Sequence, residues 1–164
     1  MNMKKTFLAL FLATLTLSAG AQDKYEQYTA NLPFKMASVK APVIPEAKVN
    51  LKDFGAVGDG TQLCTEAFAK AIDHLYKMGG GHLVVPRGVW HTGPIVLKSN
   101  IDLHLEVGAV IRFAADESLY PLVSTSFEGL ETRRCQSPLS ANGATNISVT
   151  GQGVIDGNGQ YWRP

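Results

Sequence analysis

The chain has 164 residues and a formal net charge of +1, with 15 Lys+Arg against 14 Asp+Glu, which excludes a nucleic-acid-type basic surface and an acidic tail. Hydrophobic residues make up 45% and charged residues 18%, a balance that favours a packed domain over disorder. The 16 glycines gather mainly at the ends of strand-like runs, where turns are wanted, and favour an all-β framework.

Lys4 and Lys5 precede an apolar run from Phe7 to Leu17 and then Ala19-Gly20-Ala21, the pattern of a secretory signal peptide over residues 1–21 with cleavage before Gln22. The run is shorter than the roughly 20 residues a membrane-spanning helix needs. The mature protein is therefore expected in the periplasm or secreted, with no membrane partner. Residues 22–48 carry Pro33, Pro42 and Pro45, which break periodicity, and read as an extended arm. Leu32, Phe34, Met36, Val43 and Ile44 are apolar enough to pack that arm down.

Val49-Asn50-Leu51 begins a short strand that runs into the turn-rich loop Asp53 to Thr61. From Thr65 to Met78, Phe68, Ala71, Ile72 and Leu75 fall at helical spacing and Gly79 supplies a stop, so the segment predicts an amphipathic helix with one buried face. Gly58-Asp59-Gly60 between strand and helix invites a nucleotide-binding reading, but Leu63 stands where a third glycine is needed, so the loop simply turns the chain. Cys64 and Cys135 are the only cysteines; they could close a long loop as a disulfide or stand as two separate thiols.

Between Gly79 and Phe113 lie four strand candidates: Leu83 to Val85, Ile95 to Leu97, Ile101 to Glu106 and Val110 to Phe113. Their turns are Pro86-Arg87-Gly88, Gly93-Pro94, Lys98-Ser99-Asn100 and Gly108-Ala109. Each strand is too short to carry a core alone, so a solenoid, sandwich or barrel is implied. In the third, Ile101, Leu103 and Leu105 alternate with Asp102, His104 and Glu106, giving one apolar and one polar face. That polar trio could hold a metal, but a solvated outer face accounts for it without one.

Ala114 to Ser140 is less periodic and reads as a surface excursion or part of a binding rim. Strands then resume, and Asn146-Ile147-Ser148-Val149 leading to Gly153-Val154-Ile155 repeats Asn100-Ile101-Asp102-Leu103 leading to Gly108-Ala109-Val110-Ile111. Strand pairs opened by Asn-Ile fit coils of a β-solenoid with laddered asparagines, whose exposed first coil the helix can cover. Asn146-Ile147-Ser148 also matches a glycosylation sequon, a triplet common by chance. Asp156 could pass for a catalytic acid, but its glycine-rich turn explains it. Trp90 and Trp162 could stack on sugar rings or fill a core.

Val49 to Gly60, the helix with Ala67-Phe68 and Ala71-Ile72, Gly79-Gly80-Gly81 with Val84-Val85-Pro86, Trp90-His91-Thr92-Gly93-Pro94-Ile95 and Leu97 to Asn100 together resemble the N-terminal part of polygalacturonase-type glycoside hydrolases, family 28. Gly151 to Gly159 with Trp162 is similar to a later coil of that family. The first half of the pattern is shared with pectate-lyase-like and tail-spike-like proteins. The resemblance implies a right-handed parallel β-helix over residues 49–164, represented by N-terminal coils only and capped by the short helix. It also implies a pectin-type polysaccharide partner and, in the full enzyme, inverting hydrolysis of α-1,4 galacturonosyl bonds.

Inverting hydrolysis needs one carboxylic acid to protonate the leaving oxygen and one carboxylate to activate water. By resemblance the family supplies these from Asn-Thr-Asp and Asp-Asp motifs, with a histidine in Gly-His-Gly and an Arg-Ile-Lys segment. None occurs here: His82 is followed by Leu83, and the chain stops at Arg163-Pro164. No catalytic, cofactor-binding or metal-binding residue is carried over, and the chain is expected to be a fragment that is inactive alone. A polysaccharide lyase and a non-catalytic carbohydrate-binding or structural solenoid remain as alternatives.

Overall fold

The computed structural model describes residues 28, 31–36 and 40–162, so the signal-peptide expectation for residues 1–21 lies outside the described residues. The chain divides into two units, Met1–Ala41 and Pro42–Pro164. In the first, Leu32, Phe34 and Met36 are exposed rather than packed, and Val43 at the start of the second is exposed as well.

The second unit is a right-handed parallel β-helix whose strands are β1 Lys48–Asn50, β2 Asp59–Leu63, β3 Gly81–Val85, β4 Gly88–Thr92, β5 Ile95–Leu97, β6 Ile101–Leu105, β7 Ala109–Phe113, β8 Leu122–Phe127, β9 Leu130–Cys135, β10 Leu139–Ala141, β11 Ser148–Gly151 and β12 Val154–Asp156. Three parallel sheets run along it: β1-β3-β6-β11, β2-β4-β7-β12 and β5-β10. One coil is thus β3-β4-β5, the next β6-β7-β10, and a third begins with β11-β12.

Register turns the alternation of each strand into stacks. Leu83, Leu103 and Val149 align in one sheet, and Trp90, Ile111 and Ile155 in another. Ile95 and Leu97 sit beside Leu139 and Ala141 in the third. Most of these side chains are buried, and their removal from water is the main favourable term in holding the coils together. At the far edge Val149, Val154 and Ile155 are exposed.

Helix α1, Thr65–Lys77, buries Ala67, Phe68, Ala71, Ile72 and Leu75 and packs against β1, β3, β5 and β6. It therefore covers the apolar end of the first coil, as its amphipathic spacing requires. Its exit needs glycine: Gly79, Gly80 and Gly81 all have positive φ, and a Cβ on Gly81 would sit 2.4 Å from the Ala47 carbonyl oxygen.

Three segments depart from the sequence expectations. Leu51–Phe54 is a 3-10 turn, with the Asn50 side chain accepting from the Lys52 amide, so the first strand ends at Asn50. Residues 59–63 form a bulged edge strand, not a loop, and β4 is an additional strand. Neither advertises itself: β2 is mostly exposed and lacks alternation, while β4 begins on a turn glycine and buries only Trp90 and Thr92.

The internal repeat is structural. Asn100 and Asn146 occupy equivalent positions, both with left-handed backbone, and the Asn146 amide donates to Asn100 Oδ1 at 2.7 Å. Asn146 also brackets Val43, accepting from its amide and donating to its carbonyl, both at 2.7 Å. Val43 is thereby pinned to the ladder. Cys64 is buried and Cys135 exposed, and both are free thiols, so the disulfide alternative does not hold.

Candidate functional site

An open groove lies between the turn that follows β12 and the excursion of residues 114–140. Among its residues, β8 and β9 pair antiparallel through Glu128-Gly129, both with positive φ. A two-residue turn of that kind matches the right-handed twist of the strands. Most of the hairpin is exposed, which fits the expectation of a surface excursion.

A 3-10 turn at Glu117–Leu119, capped by the Asp116 carboxylate accepting from the Ser118 amide, delivers Tyr120 to the base of the hairpin. Tyr120 is buried, and its hydroxyl donates to the Ala114 carbonyl at 2.9 Å. Burial, with Asp116 nearby, raises the pKa of the phenol, so it remains a neutral donor.

From the other side comes the turn after β12. Asp156 accepts from the Asn158 amide at 2.9 Å and pairs with Arg112 at 3.2 Å. The Asn158 side chain donates to the Phe113 carbonyl, and the Tyr161 and Trp162 amides bond back to the carbonyls of Asn158 and Gly159. These bonds place Trp162 edge-on to Tyr120, with centroids 5.3 Å apart at 83°. Tyr161 meets the same indole edge-on at 5.2 Å.

The result is an open cleft of about 400 Å³ lined by Tyr120, Trp162, Val123, Thr125, Arg134, Cys135, Gln136, Ser137 and Pro138. Among the described residues it offers aromatic surface, amide and hydroxyl groups and one guanidinium, and no carboxylate. Such a lining can hold and orient a polar ring, stacking its C–H face and bonding its substituents. Among the described residues its lining holds none able to act as the carboxyl acid or base of glycoside hydrolysis.

The residues singled out in the sequence separate clearly. Trp162 joins the cleft at 37% exposed, whereas Trp90 is wholly buried and donates from its indole N–H to the Pro86 carbonyl at 2.7 Å. Gly58 lies against that indole: a Cβ there would approach Trp90 Cζ2 to 2.9 Å, so the glycine serves packing. Asp156 is a turn residue, and the Asn158 amide together with Arg112 lowers the pKa of its carboxyl below the ordinary value of 3.8. The carboxylate is engaged in the turn and in the pair with Arg112, as the glycine-rich sequence around it implies.

Asp102 requires a correction. It does not share a solvated face with His104 and Glu106: it is 2% exposed. Its oxygens take His82 Nδ1 at 2.8 Å, Ser148 Oγ at 2.7 Å and Thr150 Oγ1 at 2.9 Å, while His104 Nδ1 meets Thr150 Oγ1 at 2.7 Å. His82, Asp102 and Ser148 are register partners on three adjacent strands. Glu106 lies beyond the strand end and is exposed. The network joins coils and uses up the Asp102 oxygens that a ligand would need.

Arg134, Gln136 and Ser137 carry no motif in the sequence. Tyr120-Pro121 and the Glu128-Gly129 turn signal the excursion, but nothing local signals that Trp162 returns beside it.

No family model matches the chain. A probable polygalacturonase of Vitis vinifera is 37% identical over 122 residues, covering 69% of this chain and 25% of that protein. An exo-poly-alpha-D-galacturonosidase of Dickeya chrysanthemi is 37% identical over 119 residues, covering 68% of this chain and 19% of that protein. The structure of a hyperthermoactive exopolygalacturonase from Thermotoga maritima superposes with a TM-score of 0.70 at 45% identity, covering 84% of this chain and 29% of that one. The chain thus spans about a quarter or less of the length of the curated relatives it matches. In sequence and in fold, over the part that is shared, this chain belongs to the polygalacturonase-type glycoside hydrolases, family 28.

Proposed function

We propose that the chain is part of an exported pectin-degrading glycoside hydrolase that cuts α-1,4 galacturonosyl bonds with inversion. Its contribution is the β-helical scaffold and one wall of the polysaccharide cleft. The observation that carries this reading is the Trp162–Tyr120 cleft, set at the strand ends of a solenoid whose relatives are named for galacturonan cleavage. The signal-like stretch at residues 1–21 supports periplasmic or secreted localisation.

In this reading the cleft binds and orients, and bond cleavage requires a carboxyl pair that its lining does not supply. The test is to incubate the 164-residue chain with polygalacturonate and measure both retention on the polymer and release of reducing ends. Retention without release is expected. Sustained release would overturn the assignment of a binding role, and absence of retention would overturn the cleft.

A further inference from the structure

Four Asx-Gly pairs occur in the chain: Asp59-Gly60, Asn142-Gly143, Asp156-Gly157 and Asn158-Gly159. In each, the glycine nitrogen can reach the carbonyl carbon of the preceding side chain, because glycine has no side chain of its own to crowd the approach. The fold treats the four differently. Asp59 accepts from the Thr61 and Gln62 amides at 2.8 and 3.0 Å, and Asp156 accepts from the Asn158 amide and from Arg112. Those bonds tie both carboxylates into their turns and lower their pKa from 3.8, and an ionised carboxylate resists attack by an amide nitrogen.

Asn158 carries the more reactive amide, but its side chain donates to the Phe113 carbonyl at 3.4 Å, and its main-chain N–H and C=O are engaged by Asp156 and by the Tyr161 amide. Asn142 has no such restraint. It lies in the bend between β10 and β11, outside the cleft, and both Asn142 and Gly143 are exposed. Among the described residues, neither the Asn142 side chain nor the Gly143 amide has a hydrogen-bond partner. Gly143 holds a φ of +63°, and no atom lies within 4 Å of where its Cβ would stand, so the bend has room to rearrange.

We propose that Asn142-Gly143 is a modification site at which the folded protein deamidates spontaneously. The Gly143 nitrogen bonds to Asn142 Cγ and gives up its proton, while the bond from Cγ to the side-chain nitrogen breaks and ammonia leaves. Water then opens the resulting succinimide. Cleavage of the new bond gives aspartate at this position, and cleavage of the original peptide bond gives isoaspartate. By either route one water is consumed, one ammonia is released and one negative charge is gained, which cancels the formal net charge of +1. The isoaspartate also adds a methylene to the main chain where the second coil passes to the third, just before Thr145 bonds to Asn100 and Ser99.

The test is to hold the 164-residue chain in mildly alkaline buffer, native and in urea, and to follow each asparagine by peptide mapping with electron-transfer fragmentation, which separates isoaspartate from aspartate. In the native chain Asn142 is expected to convert about tenfold or more faster than Asn158, the barrier difference that one restraining hydrogen bond makes. Unfolding in urea should bring the two rates within about threefold, since both are then unrestrained Asn-Gly pairs. Asn142→Gln should remove the early acidic band in isoelectric focusing and leave the urea midpoint unchanged, as an exposed substitution does. An Asn142 that stays intact in the native chain, an equal native rate at Asn158, or an acidic band that persists in Asn142→Gln would overturn the proposal. A rate ratio that urea leaves unchanged would overturn the part the fold plays in choosing the site.

Discussion

Asp102 shows what a single residue does when a solenoid folds around it. Its carboxylate is buried and satisfied by donors from two neighbouring coils. Asp102→Ala would strand His82, Ser148 and Thr150 at once and is expected to destabilise the protein by about 1–3 kcal/mol, read as a lowered urea midpoint. Asp102→Asn keeps one acceptor oxygen and should cost less. Gly151 is a second fixed point: its φ is +96°, and a Cβ there would fall 1.9 Å from the Leu105 carbonyl oxygen. Gly151→Ala should therefore cost more than about 1 kcal/mol, whereas Gly157→Ala, in open space, should stay within about 0.5 kcal/mol of wild type.

Charge contributes at this scale through turns. Asp59, Asp116 and Asp156 each accept backbone amide or hydroxyl hydrogen bonds that lower their pKa from 3.8. A depressed carboxylate adds stability that is fully present above its unfolded-state value and lost as pH falls through the lower folded-state value. These three turns are thus expected to hold at neutral pH and weaken only below about pH 3.8. A stability profile that fell between pH 7 and 5 would have to come from other groups.

At the scale of elements, the asparagine ladder and the hairpin give separable outcomes. Asn146→Ala removes the bond to Asn100 and both bonds to Val43, and should lower stability by about 1–2 kcal/mol while loosening residues 42–44 to proteolysis. Cys135 is exposed on the hairpin and Cys64 is buried, where desolvation raises its thiol pKa. A thiol-reactive reagent should therefore modify one thiol in the native chain and two after denaturation. Two rapid modifications in the native state would contradict the placement of Cys64 between α1 and the first coil.

Elements were legible to the degree that they were periodic. Ile101, Leu103 and Leu105 show which face of β6 is buried, and the Phe68 to Leu75 spacing shows the face of α1. What alternation cannot tell is what lies opposite a polar face. Asp102 belongs to the outer set by parity, yet Ser148 and Thr150 from the next coil bury it, and that depends on register between distant segments. The cleft was least legible for the same reason. Tyr120, Arg134 and Trp162 come from a 3-10 turn, a hairpin strand and a loop, and only the folded excursion brings them together.

For the whole molecule, stability and recognition are divided. The stacked interior of Leu83, Leu103, Trp90 and Ile111, closed by α1, carries the fold, and the excursion between β7 and β10 carries the candidate cleft. Because each coil contacts mainly its neighbours, a change in the hairpin should leave the stability of the inner stacks largely intact. The most direct test of the account is a fluorescence titration with oligogalacturonate, since Trp90 is sealed from solvent and Trp162 is not. The account predicts a saturable change in tryptophan emission that Trp162→Phe abolishes. An unchanged spectrum at saturating polymer, or a response that survives Trp162→Phe, would contradict it.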